Sequence, residues 1–242
     1  MFAGIIFDMD GVLADTHPIH RRAWREFLHE QGRSVSEKEL DYIEEGHKLK
    51  EMMIHFLGPL SPSELSAHGE RKRQLFYMVD AEVRTFPGVI TLLRELRAEG
   101  IPTAVATSAS RVRAHALLAK LELEQYFRFI VTGDDVDLGK PDPAIFNRAA
   151  QLMEVAAESC LVIEDSSAGV QAAAAAGMTC LGLASGERAA QLLRAGAART
   201  VPDLSGLSLH RLHDLFTTAQ VKHSPNYRPV ASESTSSRTE VA

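Results

Sequence analysis

Five short stretches of the chain run apolar without the alternation of a half-exposed strand: Ala3 to Phe7, Thr103 to Thr107, Phe129 to Thr132, Leu161 to Ile163 and Thr179 to Leu183. That is the pattern of β-strands covered on both faces. The segments between them carry helical spacing. Leu92, Leu93 and Leu96 share one helix face that stops at Gly100 before Pro102; Ala144 to Met153 follows the helix-starting Pro141-Asp142-Pro143; Ala168 to Ala176 is alanine-rich and ends at Gly177. Strand and helix in regular alternation predict an α/β fold, a doubly wound (Rossmann-like) parallel sheet with right-handed crossovers.

The rhythm breaks once. From about Ala14 to Asp80 the helical patterns His17 to Gln31, Glu37 to Glu45, Leu49 to Phe56 and Pro62 to Asp80 follow one another with no convincing strand. The chain therefore reads as an α/β core of residues 1–14 and 83–220 with an all-helical insertion at 15–82 after the first strand, rejoining near Phe86-Pro87-Gly88. Residues 222–242, rich in Ser, Pro and Thr, bury too little apolar surface to offset their ordering entropy and are expected to be disordered.

Composition narrows the function. Of 242 residues, 45% are hydrophobic, and 26 basic against 32 acidic side chains give a net charge of −6, so no broad basic field draws in nucleic acid or anionic lipid. No apolar run approaches the ~20 residues of a membrane helix, and the N-terminal one stops at an aspartate without a basic flank, so a cytoplasmic location is expected. The two cysteines, Cys160 and Cys180, lie in apolar strand-like runs and read as buried free thiols.

In open parallel sheets ligands bind beyond the carboxyl ends of the strands. Here the first run ends in Asp8-Met9-Asp10-Gly11, the second in Thr107-Ser108, the third leads through Gly133-Asp134-Asp135 to Lys140-Pro141, and the fourth ends in Glu164-Asp165-Ser166. Singly, each has an ordinary reading: a turn aspartate pair, a strand-end hydroxyl, a surface lysine, an acidic helix start. Together they place four acids, a hydroxyl and a lysine along one sheet edge. Such a cluster of carboxylates calls for a cation, and all-oxygen ligation favours a hard one, Mg²⁺. The set suits phosphoryl transfer: one carboxylate attacks phosphorus, a second moves the proton, and a hydroxyl and an ammonium hold the nonbridging oxygens.

The stretches FDMDGVLADT, AVATSAS, GKPDPAIF and LVIEDSSAGVQAA, in this order and spacing, resemble the haloacid dehalogenase superfamily, in particular its sugar-phosphate phosphatase and β-phosphoglucomutase-like branch. The resemblance covers about Met1 to Leu183. It implies that Asp8 is the nucleophile and Asp10 the general acid/base, and that Mg²⁺ is bound by Asp8, the Asp10 backbone carbonyl and Asp165, with Glu164 assisting directly or through water. Thr107, Ser108 and Lys140 would grip the phosphoryl group. The helical insertion looks like this family's cap, which closes over the cleft. Within it DTHPIHRRAW is similar to the first cap helix, placing His20 and Trp24 near the cleft mouth, although His20 also reads as an ordinary helix histidine and Trp24 as a packing residue. Gly46, Lys48 and Lys72 are further candidate substrate contacts. Where relatives often carry an arginine after the glycine, this chain has His47 and Lys48 after Gly46, which counts against a mutase.

The expected activity is Mg²⁺-dependent hydrolysis of a small phosphorylated metabolite, a sugar or polyol phosphate, through an aspartyl-phosphate. A β-phosphoglucomutase is the alternative enzyme, and a phospho-accepting receiver or sensor module the alternative outside enzymes. No nucleic-acid or membrane partner is expected, and the protein is read as a monomer or weak dimer.

Overall fold

A computed structural model describes residues 1–78 and 82–222 of the chain. Its centre is a parallel sheet of six strands, β1 (Gly4–Phe7), β2 (Thr103–Ala106), β3 (Phe129–Val131), β4 (Cys160–Glu164), β5 (Thr179–Leu183) and β6 (Arg199–Val201), in the order β3-β2-β1-β4-β5-β6. β1 lies inside, with Ile5 opposite Thr103 on one side and Leu161 on the other. Both faces of the sheet are covered, which is why the runs do not alternate. Ile5 and Phe7 pack into one apolar cluster with Leu92, Leu96 and Phe216, while Ile6, between them, packs into another with Phe146, Ala149 and Ala172.

The sixth strand escapes an apolar-run reading. β6 has three residues, Arg199, Thr200 and Val201, none of them buried; it pairs only with β5, so its outer side has no apolar neighbour to select for.

Between β1 and Thr85 lie α1 (His17–Glu30), α2 (Glu37–Leu40), α3 (Leu49–Leu57) and α4 (Pro62–Tyr77); after it come α5 (Val89–Ala98), α6 (Arg111–Lys120), α7 (Ala144–Met153), α8 (Ser167–Ala175), α9 (Gly186–Ala195) and α10 (Leu209–Lys222). The chain leaves the sheet after β1 and returns where Ala14 bridges Thr85. The expected helix over Glu37 to Glu45 is instead α2 followed by a tighter 3-10 turn, Asp41–Glu44, which carries Glu44 inward to Arg21 and Arg188. Ser61 and Glu64 form a reciprocal capping box at the start of α4. Trp24 is fully buried between Phe27 and Phe56, so it packs the helices together and does not line the cleft; the expectation of a substrate contact there is corrected.

The tail expected to be disordered lies outside the described residues except for Lys222, which closes α10. Among the described residues no helix is long and apolar enough to cross a membrane.

Candidate active site

The carboxyl ends of β1, β2 and β4, together with the loop after β3, converge on one cleft. Asp8 follows β1 directly, its amide still in the ladder to the Ile163 carbonyl at 3.0 Å. The chain then turns sharply: Leu13 and Ala14 both donate to the Met9 carbonyl, and Gly11 adopts φ 76°. A Cβ at Gly11 would lie 2.2 Å from both Asp165 Oδ2 and His17 Nε2, so only glycine lets this turn press against the end of β4.

Lys140 arrives from the loop after β3 and is almost wholly buried. Its ammonium donates to Asp8 Oδ1 at 2.5 Å, Glu164 Oε1 at 2.5 Å and the Ala106 carbonyl at 3.2 Å, an acceptor for each of its three protons. Glu164 Oε2 accepts from the Asp165 and Ser166 amides, both at 2.8 Å, and from Ser166 Oγ at 2.9 Å. Both oxygens of Glu164 are thus engaged. That leaves water-mediated assistance, rather than direct ligation, as the form its expected metal role can take.

Asp165 Oδ2 accepts from His17 Nε2 at 2.7 Å, and Arg188 donates to the Asp165 carbonyl at 3.0 Å while also pairing with Glu44. Asp10 accepts from Thr16 Oγ1 at 2.6 Å and from both terminal nitrogens of Arg113. Thr107 accepts from the Ala109 amide at 3.1 Å, and Ser108 Oγ donates to the Gly46 carbonyl at 2.7 Å, tying the loop after β2 to the helical segment.

The electrostatics divide the cleft. Burial, then the charges of Glu164, Asp165 and Asp10, lift Asp8 well above the usual carboxylate range despite the opposing Lys140. Burial raises Asp165 as well, against His17. The Lys140 ammonium is raised, because Asp8 and Glu164 outweigh its burial. Asp10 moves the other way: burial pushes it up, but the charge and hydrogen bonds of Arg113, with help from His20, hold it well below the ordinary value.

Three buried carboxylates thus lie together: Asp8 and Glu164 share Lys140, while Asp165 pairs with His17 and Arg188. This acidic surplus of hard oxygen donors fits Mg²⁺. Among the described residues no three acidic, imidazole or thiol side chains converge closely enough to enclose a metal alone. Mg²⁺ needs no such cage, being held by one or two carboxylates with backbone oxygen, water and substrate phosphate.

Of the residues expected from the helical segment, His20, Gly46 and Lys72 line the cleft. Lys48 does not: its ammonium donates to the Val136 and Asp137 carbonyls at 2.8 and 3.2 Å and its stem lies against Gly139, so it clasps the helical segment to the core, and its expected substrate contact is corrected. His20 sits between Lys72 and Arg113, each nitrogen 2.8 Å from one of them. Burial, Lys72 and Arg113 together lower it to about 3, against the pull of Asp10, so it is neutral.

Burial, and then the Arg113 charge, draws Lys72 from 10.5 down to about 7, with Asp10 opposing. A lysine lowered in the folded chain binds fewer protons there than unfolded, so its penalty is complete below about pH 7 and fades as pH rises towards the unfolded value. The melting temperature of Lys72→Met, relative to the parent protein without ligand, is thus expected to be most favourable near pH ~6 and to fall by several degrees by pH ~9.5. Thermal melts across this range check it, and a difference flat with pH would contradict it.

His17, Arg113, Arg188 and Glu44 were not identified from the sequence. Arg113 lies in the run Arg111-Val112-Arg113, where nothing local separates it from Arg111, which is exposed and pairs with Asp135. Arg188 and Glu44 meet across 144 residues, a contact without a local signal.

The family model for haloacid dehalogenase-like hydrolases matches residues 2–177. A phosphorylated carbohydrates phosphatase of Thermotoga maritima is 35% identical over 186 residues, 72% of this chain and 81% of the relative. Hexitol phosphatase A of Escherichia coli is 31% identical, covering 90% of this chain and 94% of that one. The crystal structure of a β-phosphoglucomutase from Clostridium difficile superposes with a TM-score of 0.83 at 25% identity, over 91% of this chain and all of the other.

Proposed function

Because the chain belongs to the haloacid dehalogenase-like hydrolases, we propose that it is a Mg²⁺-dependent phosphatase that hydrolyses a small phosphorylated metabolite of the sugar or polyol phosphate class through an aspartyl-phosphate on Asp8. The observation that carries this reading is the convergence of Asp8, Asp10, Thr107, Lys140 and Asp165 at one sheet edge, with the Lys140 ammonium on Asp8.

A carboxylate oxygen of Asp8 attacks phosphorus, the ester P–O bond breaks, and Asp10, which takes up a proton from solvent once Arg113 releases it, gives that proton to the leaving oxygen. Water then attacks the acyl phosphate and yields a proton to Asp10, so that one water is consumed and both aspartates return to their starting state. Thr107, Ser108 and Lys140 hold the nonbridging oxygens through both steps. Asp8, the Asp10 backbone carbonyl and Asp165 would hold Mg²⁺, with Glu164 ordering the Asp165 loop; the ion would neutralise charge on the phosphoryl oxygens. The helical segment, residues 15–82, serves as the cap that excludes bulk water. Its two clasps in the present state, Ser108 to the Gly46 carbonyl and Lys48 to the Val136 carbonyl, support this role.

The test is a phosphate-release screen of sugar, polyol, glycolate and nucleotide monophosphates with Mg²⁺, following β-glucose 1-phosphate separately for isomerisation. Release from one class, abolished by EDTA and restored by added Mg²⁺, is the expected outcome. Activity indifferent to EDTA would overturn the metal's part, and conversion of β-glucose 1-phosphate to glucose 6-phosphate with little release would make the protein a mutase.

A further inference from the structure

The half of the cleft away from Lys140 carries more positive charge than it can satisfy. Arg113 reaches in from α6, with 12% of its side chain exposed, and its guanidinium lies over the Phe76 ring at 4.9 Å. Lys72 is 4% exposed and stands over Phe76 and Trp24 at 5.3 and 5.4 Å. Its one hydrogen-bond partner among the described residues is a ring nitrogen of His20, and it forms no ion pair there. Asp10 is paired with Arg113 and not with Lys72. A buried ammonium without a counter-charge is costly, and this one is left facing the cavity.

Two further features concern Arg113. Its Nε–H is buried and finds no acceptor among the described residues, so the fork has donor capacity that Asp10 does not use. Conversely, Asp10 Oδ1 accepts from Thr16 and Arg113 and Oδ2 from Arg113, so the guanidinium holds both oxygens and disfavours the proton that a general acid must carry. For Asp10 to meet the leaving oxygen, Arg113 must turn towards something else. A hydroxyl competes poorly with a carboxylate for a guanidinium, whereas a second oxyanion competes on equal terms and also supplies the partner that Lys72 lacks.

We propose that Arg113 is a specificity residue that grips a second anionic group on the substrate, a carboxylate or second phosphate a few bonds from the ester, and that this capture draws the guanidinium off Asp10. The inference rests on the phosphatase reading and narrows its substrate class to phosphate esters that carry another oxyanion, such as sugar-acid phosphates or bisphosphates. Arg113 selects among esters; it takes no part in bond making.

The test compares 2-phosphoglycolate with 2-hydroxyethyl phosphate, which share the ester and differ in a carboxylate against a hydroxymethyl group. Calorimetric binding is measured with Mg²⁺ on Asp8→Asn protein, which holds the ester without turnover, and on the same protein carrying Arg113→Gln or Arg113→Lys. The carboxylate should tighten binding about tenfold or more, and Arg113→Gln should erase at least ~5-fold of that ratio. Arg113→Lys, which keeps the charge but loses the fork, should fall between. A structural role alone would weaken both probes equally and leave the ratio unmoved, so a ratio that survives Arg113→Gln, or equal binding of the two probes to the parent site, overturns the proposal. Because binding is the readout, an unmodified enzyme that released no phosphate would sink the phosphatase reading while the ratio still decided the role of Arg113. Should Arg113→Gln fail to fold by thermal melt, the ratio in Arg113→Lys decides alone, a fall supporting the proposal and no change overturning it.

Discussion

Asp8→Asn is expected to collapse turnover by about 10⁴-fold or more while leaving the protein as stable as the parent or more so. The two halves of this expectation have one cause. Asp8 is a buried carboxylate crowded by Glu164, Asp165 and Asp10, and its acid is raised well above the ordinary range, so the ionised form is disfavoured in the folded chain. An amide of the same shape removes that repulsion, and Lys140 keeps Glu164 as its partner. What is lost, on the proposed mechanism, is the oxygen that attacks phosphorus. Rapid-quench labelling should find no acid-stable phosphoprotein in the variant, and thermal melts should show no decrease. A residual kcat above roughly a hundredth of the parent rate would remove Asp8 as nucleophile.

Lys140→Met is expected to damage both activity and stability. The lysine is the one ammonium between Asp8 and Glu164, whose side chains are 9% and 1% exposed, and breaking a buried pair by deleting one partner typically costs ~3–5 kcal/mol. For a chain of this size that is a fall of about 10 °C in melting temperature. The loss has a pH signature. Without Lys140 the Asp8 acid rises further, and a carboxyl raised in the folded state destabilises above its unfolded value, the more so as pH increases through the window between the two. The deficit should therefore be smaller at pH ~5 than at pH ~8, and adding Asp8→Asn to Lys140→Met should recover part of it. If the deficit had no pH dependence, the ion pair would not be its source.

How much of this could be read from the chain depends on distance. The sheet was legible because β1, β2, β4 and β5 are buried on both faces and carry that burial as unbroken apolar runs, and because the polar residue ending each run marks the ligand edge. Asp8, Thr107 and Asp165 could be placed together for that reason alone. β6 left no trace because an exposed three-residue edge strand needs no apolar side chains. The helical segment was legible as helix but not in what its side chains do. Lys48, just before α3, reaches carbonyls after β3, and Trp24, on α1, packs into the interior. Arg113 was hidden by its neighbour Arg111: two positions apart on a helix they point to different sides, and only the fold brings Arg113 over Phe76.

The position of β1 has a consequence for how the chain is made. β1, which leads directly into Asp8, is synthesised before both of its neighbours, which begin at Thr103 and Cys160. Pairings so remote in sequence are slow to form, because the loop entropy must be met before the contacts reward it. On the ribosome, β1 must wait, apolar on both sides, until at least Glu164 has emerged. The helices α1 to α4, which pack on one another within residues 17–77, have the opportunity to form in that interval, before the sheet beside them is complete.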